Sequence, residues 1–288
     1  MGAGSAKRTT ELLLGRVPPL YRAAASFGSP ASRGQRLRAA GRTIKYDVRT
    51  RYLKRPTVAA IGDHSKIIAY PGETNSPHAA YRNPPNWEML VWRARLRPGD
   101  LFVDVGANVG IYTIYMLDLG LRVIAFEPDP RNAGRLREHL ALNGYHAQVL
   151  QKAVSDHCGA VRFTQGLDSY NHLILSGTDG IEVQATTLDE VLGEQVVDGM
   201  KIDVEGAERL VLEGARQALT AHRIRLLQLE WSSDAVQNTL SEDRTPVAEL
   251  LRGYGYVLYR PDRDRADLHE ISGSVPTGTD IFASATTL

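Results

Sequence analysis

The sequence predicts an α/β fold: a doubly wound, mostly parallel sheet with helices on both faces. Three observations point there. From Gly99 onward, short apolar runs alternate with helical stretches, the pattern of strand–helix–strand units. Leu101–Thr113, LFVDVGANVGIYT, passes from a buried strand through a glycine-bracketed turn into a helix. Glu127 ends the next apolar run about 20 residues past that turn, where an acid can hold both hydroxyls of a ribose.

Taken in order, residues 9–40 read as one or two short helices divided by Pro18-Pro19 and Gly28-Ser29-Pro30. Ile44–Leu53 and Ala59–Ala69 read as short strands, and Tyr70–Pro85 as a loop. Trp87–Leu96 has helical apolar spacing, and Pro98-Gly99-Asp100 turns the chain into the first core strand. The second core strand is Arg122–Phe126. Pro130 then opens a helix to Asn143, which Gly144 ends. Ala147–Val154 is the third strand, and Val161–Thr164 with Ile181–Thr187 alternate like an inserted hairpin or paired strands. Leu188–Leu192 starts a helix, Met200–Val204 is the fourth core strand, Arg209–Leu219 a helix and Ile224–Glu230 the fifth strand. After a helix at Pro246–Arg252, Tyr254–Tyr259 and Asp280–Ala283 close the sheet as a terminal antiparallel pair.

The 288 residues are 43% hydrophobic, ample for a core, and no run approaches the roughly 20 apolar residues of a membrane span. The single cysteine, Cys158, excludes an intramolecular disulfide framework and reads as a partly buried small side chain in a reducing, cytoplasmic protein. Charge is divided unevenly. Residues 1–55 hold 13 Lys and Arg against Glu11 and Asp47, for +11, while the remainder holds 21 bases and 31 acids, for −10. Such an arm suits an anionic partner, whether nucleic acid, membrane surface or phosphorylated substrate, and equally suits a solvated tail or one folded on its own body. Pro and Gly interrupt it without aromatic interleaving, which disfavours nucleic acid; peripheral membrane contact stays open. No clean apolar core follows Lys7 and Arg8, so no secretory signal is read, although the arginine-rich leader also imitates a transit peptide. The myristoyl pattern fails at Ala6. The expected division is a basic extension over 1–85 and the sheet domain over 86–288.

The turn after the first core strand is a cofactor cradle. Gly106 and Gly110 let backbone approach a ligand, the following helix aims its first amides there, and Asp104 is placed to take a cation or donor. Asn108 stands where a dinucleotide fingerprint needs its second glycine, and the third is missing. The spacing D-x-G-x-N-x-G instead resembles the first motif of S-adenosylmethionine-dependent methyltransferases.

LFVDVGANVGIYT, AFEPDP, KAVSD, TTLDEVL, KIDVEGAE and LLQLEW occur in the order and spacing of the FkbM-type methyltransferases, over roughly Asn86 to Ile281. That resemblance implies a class I methyltransferase, a seven-stranded Rossmann-like sheet with one antiparallel strand, and O-methylation of a hydroxylated small molecule, sugar or natural product. It assigns Gly106, Ala107, Asn108 and Gly110 to the amino-acid end of S-adenosylmethionine, Glu127 to its ribose and Asp156 to its adenine; Asp156 is equally an exposed loop carboxylate. It leaves the acceptor and the oligomeric state open.

A hydroxyl is a poor nucleophile until its proton leaves, so a base or a metal belongs near the methyl. Asp203, at the end of the fourth strand, either fills that role or caps the helix starting near Gly206; acids at four strand ends exceed what capping needs. Glu205 is a substrate or metal contact, or offsets the helix dipole, the stronger reading for Glu208. Glu230 is a base, a metal ligand or a paired structural acid. His172, in the insertion Gln165–Gly177, is a candidate general base with Tyr170 and Asn171 beside it as substrate contacts. Asp203 and Glu230 could share Mg2+, yet the fifth strand lacks the Asp-Asp or Asp-Asn pair of catechol-type methyltransferases, which leans against a metal and leaves the question open. Two other functions compete. A nucleic-acid methyltransferase is opposed by DVEG where Asn/Asp-Pro-Pro-Tyr would stand, and a nucleotide- or NAD-binding protein by Asn108.

Overall fold

The computed structural model describes residues 41, 44–46, 48–71, 87–164, 172–174, 180–231, 245–262, 266–275 and 280–286. Cα packing divides the chain into two units, Met1–Trp87 and Glu88–Leu288. In the first, Thr57–Ile61 (β1) and Ser65–Ala69 (β2) alternate inward and outward residues and pair antiparallel, so the stretch read as strand over Ala59–Ala69 is divided by a turn at residues 62–64. Ile44–Leu53 is not a strand. Ile44–Tyr46 is helical and Val48–Tyr52 a π-helical turn. Burial there repeats every four residues, not every two: Tyr46 and Thr50 are buried, Thr50 Oγ1 donates to Tyr46 O at 2.8 Å, and Val48 and Tyr52 are exposed.

A helix, Trp87–Arg95 (α1), carries all but its first residue in the second unit, and Leu101–Val105 (β3), Ile111–Asp118 (α2), Arg122–Phe126 (β4) and Pro130–Asn143 (α3) follow. Gln148–Leu150 (β5), Ala153–Val154 (β6), Gly159–Phe163 (β7) and Ile181–Thr186 (β8) follow. Leu188–Leu192 (α4), Gly199–Ile202 (β9), Glu208–Glu213 (α5), Arg216–Thr220 (α6) and Leu226–Leu229 (β10) continue the alternation. Thr245–Gly253 (α7), Val257–Pro261 (β11), Leu268–Glu270 (β12) and Ile281–Ser284 (β13) complete it.

Among the described residues, eight strands form the main sheet in the order β12-β11-β13-β10-β9-β3-β4-β5. β5, β4, β3, β9 and β10 pair in parallel, and β13 runs antiparallel to both β10 and β11. The expected seven strands are present, and β12 adds an eighth, antiparallel to β11. Side-chain alternation sorts the helices onto two faces. Val103, Val105, Met200, Ile202, Leu227 and Leu229 pack with residues of α4, α5, α6 and α7 in the principal core. Phe102, Asp104, Lys201, Gln228 and Phe282 face the other way, where Trp92 of α1 lies against Phe102 and Phe282 with ring centroids 5.1 and 5.4 Å apart.

Local chemistry sets the helix ends. Asp129 caps α3 by accepting from the amides of Arg131 and Asn132, Pro130 takes the first turn, and Gly144 closes the helix at φ 65°. Two expected elements are divided. Ala147–Val154 becomes β5 and β6, because the chain leaves the sheet edge after Leu150 and Ala153–Val154 pairs with β8, which itself pairs antiparallel with β7. Arg209–Leu219 becomes α5 and α6. At the break, a Cβ on Gly214 would lie 2.0 Å from Ser155 O, so that backbone packs directly on another loop.

Candidate active site

The parallel strands deliver their carboxyl ends to one rim. β3 runs into Gly106, β4 into Glu127, β9 into Asp203 and β10 into Glu230. The antiparallel β13 enters the sheet at the same rim, so Asp280, the residue before it, joins the acids there. Sequence reasoning missed Asp280; the signal was its position ahead of the last strand, once that strand is recognised as reversed.

Beside the rim lies a cleft enclosing about 520 Å³ of empty space, its open mouth included. Gly106, Asn108, Glu127, Asn132, Asp203 and Glu205 are among its walls. Phe163 and Leu173 also line it. They are cross-bridged, because residues 172–174 run antiparallel to β7: Thr164 N–H donates to His172 O and Ile174 N–H to Arg162 O. The insertion thus contributes an apolar wall through Leu173, while His172 is fixed by its backbone to Thr164. Tyr170 and Asn171 lie outside the described residues. Asn132 and Lys152 line the cleft without any sequence signal that marked them.

The cradle is tightly built. Gly106 (φ 79°) brings β3 so close to β9 that a Cβ would stand 1.9 Å from Asp203 O. Asn108 occupies the left-handed region at φ 53°, its side chain accepting from Val109 N–H at 2.7 Å. The Glu127 carboxylate takes one amide on each oxygen, Asn108 N at 2.7 Å and Asp129 N at 2.9 Å. Each oxygen keeps a second lone pair, the acceptor set that two vicinal ribose hydroxyls require. Burial pushes the Glu127 carboxyl up to about 7, against the lowering effect of those two amides.

Four residues nominated for the cofactor do not line the cleft, among them Ala107, which is buried in the turn between Gly106 and Asn108. Asp104 is fully buried, because all five residues of β3 are; its Oδ2 accepts from Thr113 Oγ1 at 2.7 Å and anchors α2. Gly110 faces Leu136, whose side chain fills the place of a Cβ. Asp156 is partly exposed and binds Ser155 Oγ and His157 Nδ1, the latter holding its carboxyl below the usual range. Cys158 was expected partly buried and is exposed, donating to Glu190 Oε2 at 2.7 Å. It sits in the short chain reversal leading into β7.

Behind the cleft runs a polar row across three strands. Asp104, Lys201 and Gln228 are direct partners in the β3–β9–β10 register. Lys201 Nζ donates to Asp203 Oδ2 at 2.7 Å and lies 4.7 Å from the centre of the Tyr112 ring. Burial alone would lower the Lys201 pKa; Asp203 and Asp104 reverse that and hold the ammonium charged. Gln228 accepts from Trp92 Nε1 and donates to Tyr112 Oη at 3.1 Å and Asp280 Oδ2 at 2.6 Å. Burial pushes the Asp280 carboxyl up to about 6, less a reduction from the Gln228 bond.

Asp203, Glu205 and Glu230 converge at the cleft end of this row, with one carboxylate oxygen from each lying within 4.8 Å of the others. Glu205 is held at φ 52°, a conformation that costs a non-glycine residue about 1–3 kcal/mol. Asp203 does not cap the following helix. The N-cap of that helix is Ala207, without a side-chain cap bond, and Glu208, fully buried at the first helical position, accepts from Gly206 N–H at 3.1 Å.

A mostly parallel sheet ordered in this way, with the reversed β13 between β10 and β11, and a glycine turn followed by a ribose-type acid define a class I S-adenosylmethionine-dependent methyltransferase. The family description Methyltransferase FkbM domain matches residues 104–258. The chain is 29% identical over 201 residues to 31-O-demethyl-FK506 methyltransferase FkbM of Streptomyces tacrolimicus, covering 57% of this chain and 75% of that one. It is 28% identical over 179 residues to 2-O-methyltransferase NoeI of Sinorhizobium fredii, covering 54% and 71%. Magnesium protoporphyrin IX methyltransferase (ChlM) from Synechocystis, solved with bound SAM, is 12% identical with a TM-score of 0.42 over 69% of this chain and 76% of that one. The chain belongs to the FkbM methyltransferase family.

Proposed function

We propose that the chain is an O-methyltransferase acting on a hydroxyl of a small molecule, sugar or natural product, with residues 86–288 as the catalytic domain and 1–85 as a basic extension. The observation that carries this reading is the position of Glu127: a buried carboxylate with two lone pairs left over, in the wall of a cleft that ends at Asp203 and Glu205. The names of two relatives, a 31-O-demethyl-FK506 methyltransferase and a 2-O-methyltransferase, support transfer to oxygen.

S-adenosylmethionine supplies an electrophilic methyl, so the protein mainly aligns and deprotonates the acceptor. Gly106, Ala107 and Asn108 hold the amino-acid end and Glu127 the ribose. Asp104 and Gly110 shape that cradle from behind, and Asp156 stands outside the wall. Asp203, fixed by Lys201, orients the acceptor hydroxyl together with Glu205 and Glu230. A carboxylate already bonded to an ammonium is a weak base, so the proton goes to another group: Asp280, with its raised pKa, or His172. Tyr170 and Asn171 contact the acceptor. The free, exposed Cys158 suits a reducing, cytoplasmic setting. Among the described residues, no helix is long and apolar enough to cross a membrane.

Calorimetry with S-adenosylhomocysteine and with NAD tests the reading. Heat with the former alone supports it; heat with NAD alone overturns it. Transfer of labelled methyl to a panel of glycosides and polyols, released as an ether, tests the oxygen acceptor. A second reading, a Mg2+ site at Asp203, Glu205 and Glu230, is favoured by their convergence. Mg2+ heat that Glu230→Gln removes supports it, and absence of heat disposes of it.

A further inference from the structure

Among the described residues, seven large hydrophobic side chains are exposed, and five of them fall in the single stretch Ile44–Val58. Tyr52 is 66% exposed, Leu53 57% and Val58 49%, with Ile44 and Val48 beside them. Ile44, Val48 and Tyr52 recur every four residues in the helical turns, opposite the buried Tyr46 and Thr50. Lys45 and Arg49 are exposed in the adjacent line, and Lys54 and Arg55 follow. Asp47 is the one acid in the stretch.

Backbone bonds fix this arrangement. Leu53 N–H donates to Val48 O at 3.0 Å and Arg55 N–H to Arg49 O at 2.9 Å. The Arg49 guanidinium reaches Pro56 O with both Nε and Nη2 at 3.4 Å, so the chain folds back and leaves Tyr52, Leu53 and Lys54 at a projecting corner.

We propose that Ile44–Val58 seats the protein on the surface of an anionic lipid bilayer. Aliphatic tips that remain in water here would be buried at the acyl boundary, a tyrosine suits the headgroup level, and flanking Lys and Arg reach lipid phosphates along their apolar stems. The positive charge of residues 1–55, +11 in total, adds long-range attraction to the same surface. RNA would use the charges and one aromatic face but would leave Ile44, Val48, Leu53 and Val58 exposed. The proposal is independent of which acceptor is methylated.

The test is co-sedimentation of the full chain with sucrose-loaded vesicles of phosphatidylcholine alone, or of three parts phosphatidylcholine to one of phosphatidylglycerol. Binding is expected to the anionic vesicles, falling at high salt, and to be about tenfold weaker on the neutral ones. Tyr52→Ser with Leu53→Ser is expected to weaken anionic-vesicle binding about tenfold, and both residues are exposed, so an unchanged melting curve should accompany the loss. Three results would each overturn the proposal: wild type left in the supernatant with both vesicles, the double variant pelleting as wild type does, or an RNA gel shift that depends on Tyr52 and Leu53 while vesicle binding is absent.

Discussion

Lys201 Nζ stands 2.7 Å from Asp203 Oδ2, and Lys201 lies beside the fully buried Asp104 in the register of β9 and β3. One ammonium therefore serves two carboxylates, one solvent-accessible at the cleft and one sealed in the sheet. The sealed one decides the energetics. Asp104 Oδ1 makes no hydrogen bond among the described residues, and burial raises its carboxyl above the usual range, a rise that Lys201 and the Thr113 bond on Oδ2 oppose.

Lys201→Met should accordingly cost up to about 3–5 kcal/mol at neutral pH, the penalty of leaving a buried carboxylate without its cation or forcing a proton onto it. Urea denaturation measures it. Adding Asp104→Asn to Lys201→Met should recover part of the loss, because the stranded group is then neutral. A double variant no more stable than the single one would show that Lys201 acts through packing alone.

The fold was legible because its signals are local and repeated. Pro130, Asp129 and Gly144 mark both ends of α3, and the strand–turn–helix at Leu101–Thr113 places the cradle. The site was legible only in part. A strand buried on both faces hides the direction of each side chain, so Asp104 reads as a ligand although it lies beneath the surface. Asp280 carries no motif, and its place at the rim follows from the reversal of β13. Lys201 reads as one more apolar-strand residue until three strands are laid side by side. Ile44–Leu53 fails for another reason: with several apolar residues in ten, periods of two and four fit the letters about equally well, and tertiary burial of Tyr46 and Thr50 chooses between them.

Gly106→Ala should disable the cradle. Its Cβ would meet backbone, Asp203 O at 1.9 Å, at a φ of 79° that already disfavours a side chain. Strain and strand separation together should cost at least about 2 kcal/mol and weaken S-adenosylhomocysteine binding by tenfold or more. Gly144→Ala is the control: φ is 65° but the site is open, so about 1 kcal/mol and unchanged calorimetric affinity are expected. Equal effects from the two would mean that the approach of β3 to β9 is not what the turn protects.

Asp280→Asn should stabilise the protein at high pH. Its folded pKa of about 6 lies above the ordinary carboxylate value, so any stability it gives is complete at acid pH and is lost as pH rises through 6. Urea midpoints should rise for Asp280→Asn at pH 8 and match wild type near pH 4. A variant less stable at pH 8 would show that the ionised carboxylate is held favourably by Lys201 and Gln228.

Glu127 links cofactor affinity to pH. Its carboxyl titrates at about 7 in the folded protein, with two backbone amides already on the oxygens, and only the ionised form offers full acceptor strength to ribose hydroxyls. The sign follows from the rise above the ordinary glutamate value. Below pH 7 the folded protein gains a proton there, the carboxylate is lost, and affinity falls. Between pH 8 and pH 6 the Kd for S-adenosylhomocysteine should rise about tenfold, the change expected for one group titrating at 7. Glu127→Gln should bind more weakly at pH 8 and show a flat profile across that range. Calorimetry at pH 6, 7 and 8 on both proteins is sufficient, and a wild-type profile as flat as the variant's would remove Glu127 from the cofactor site.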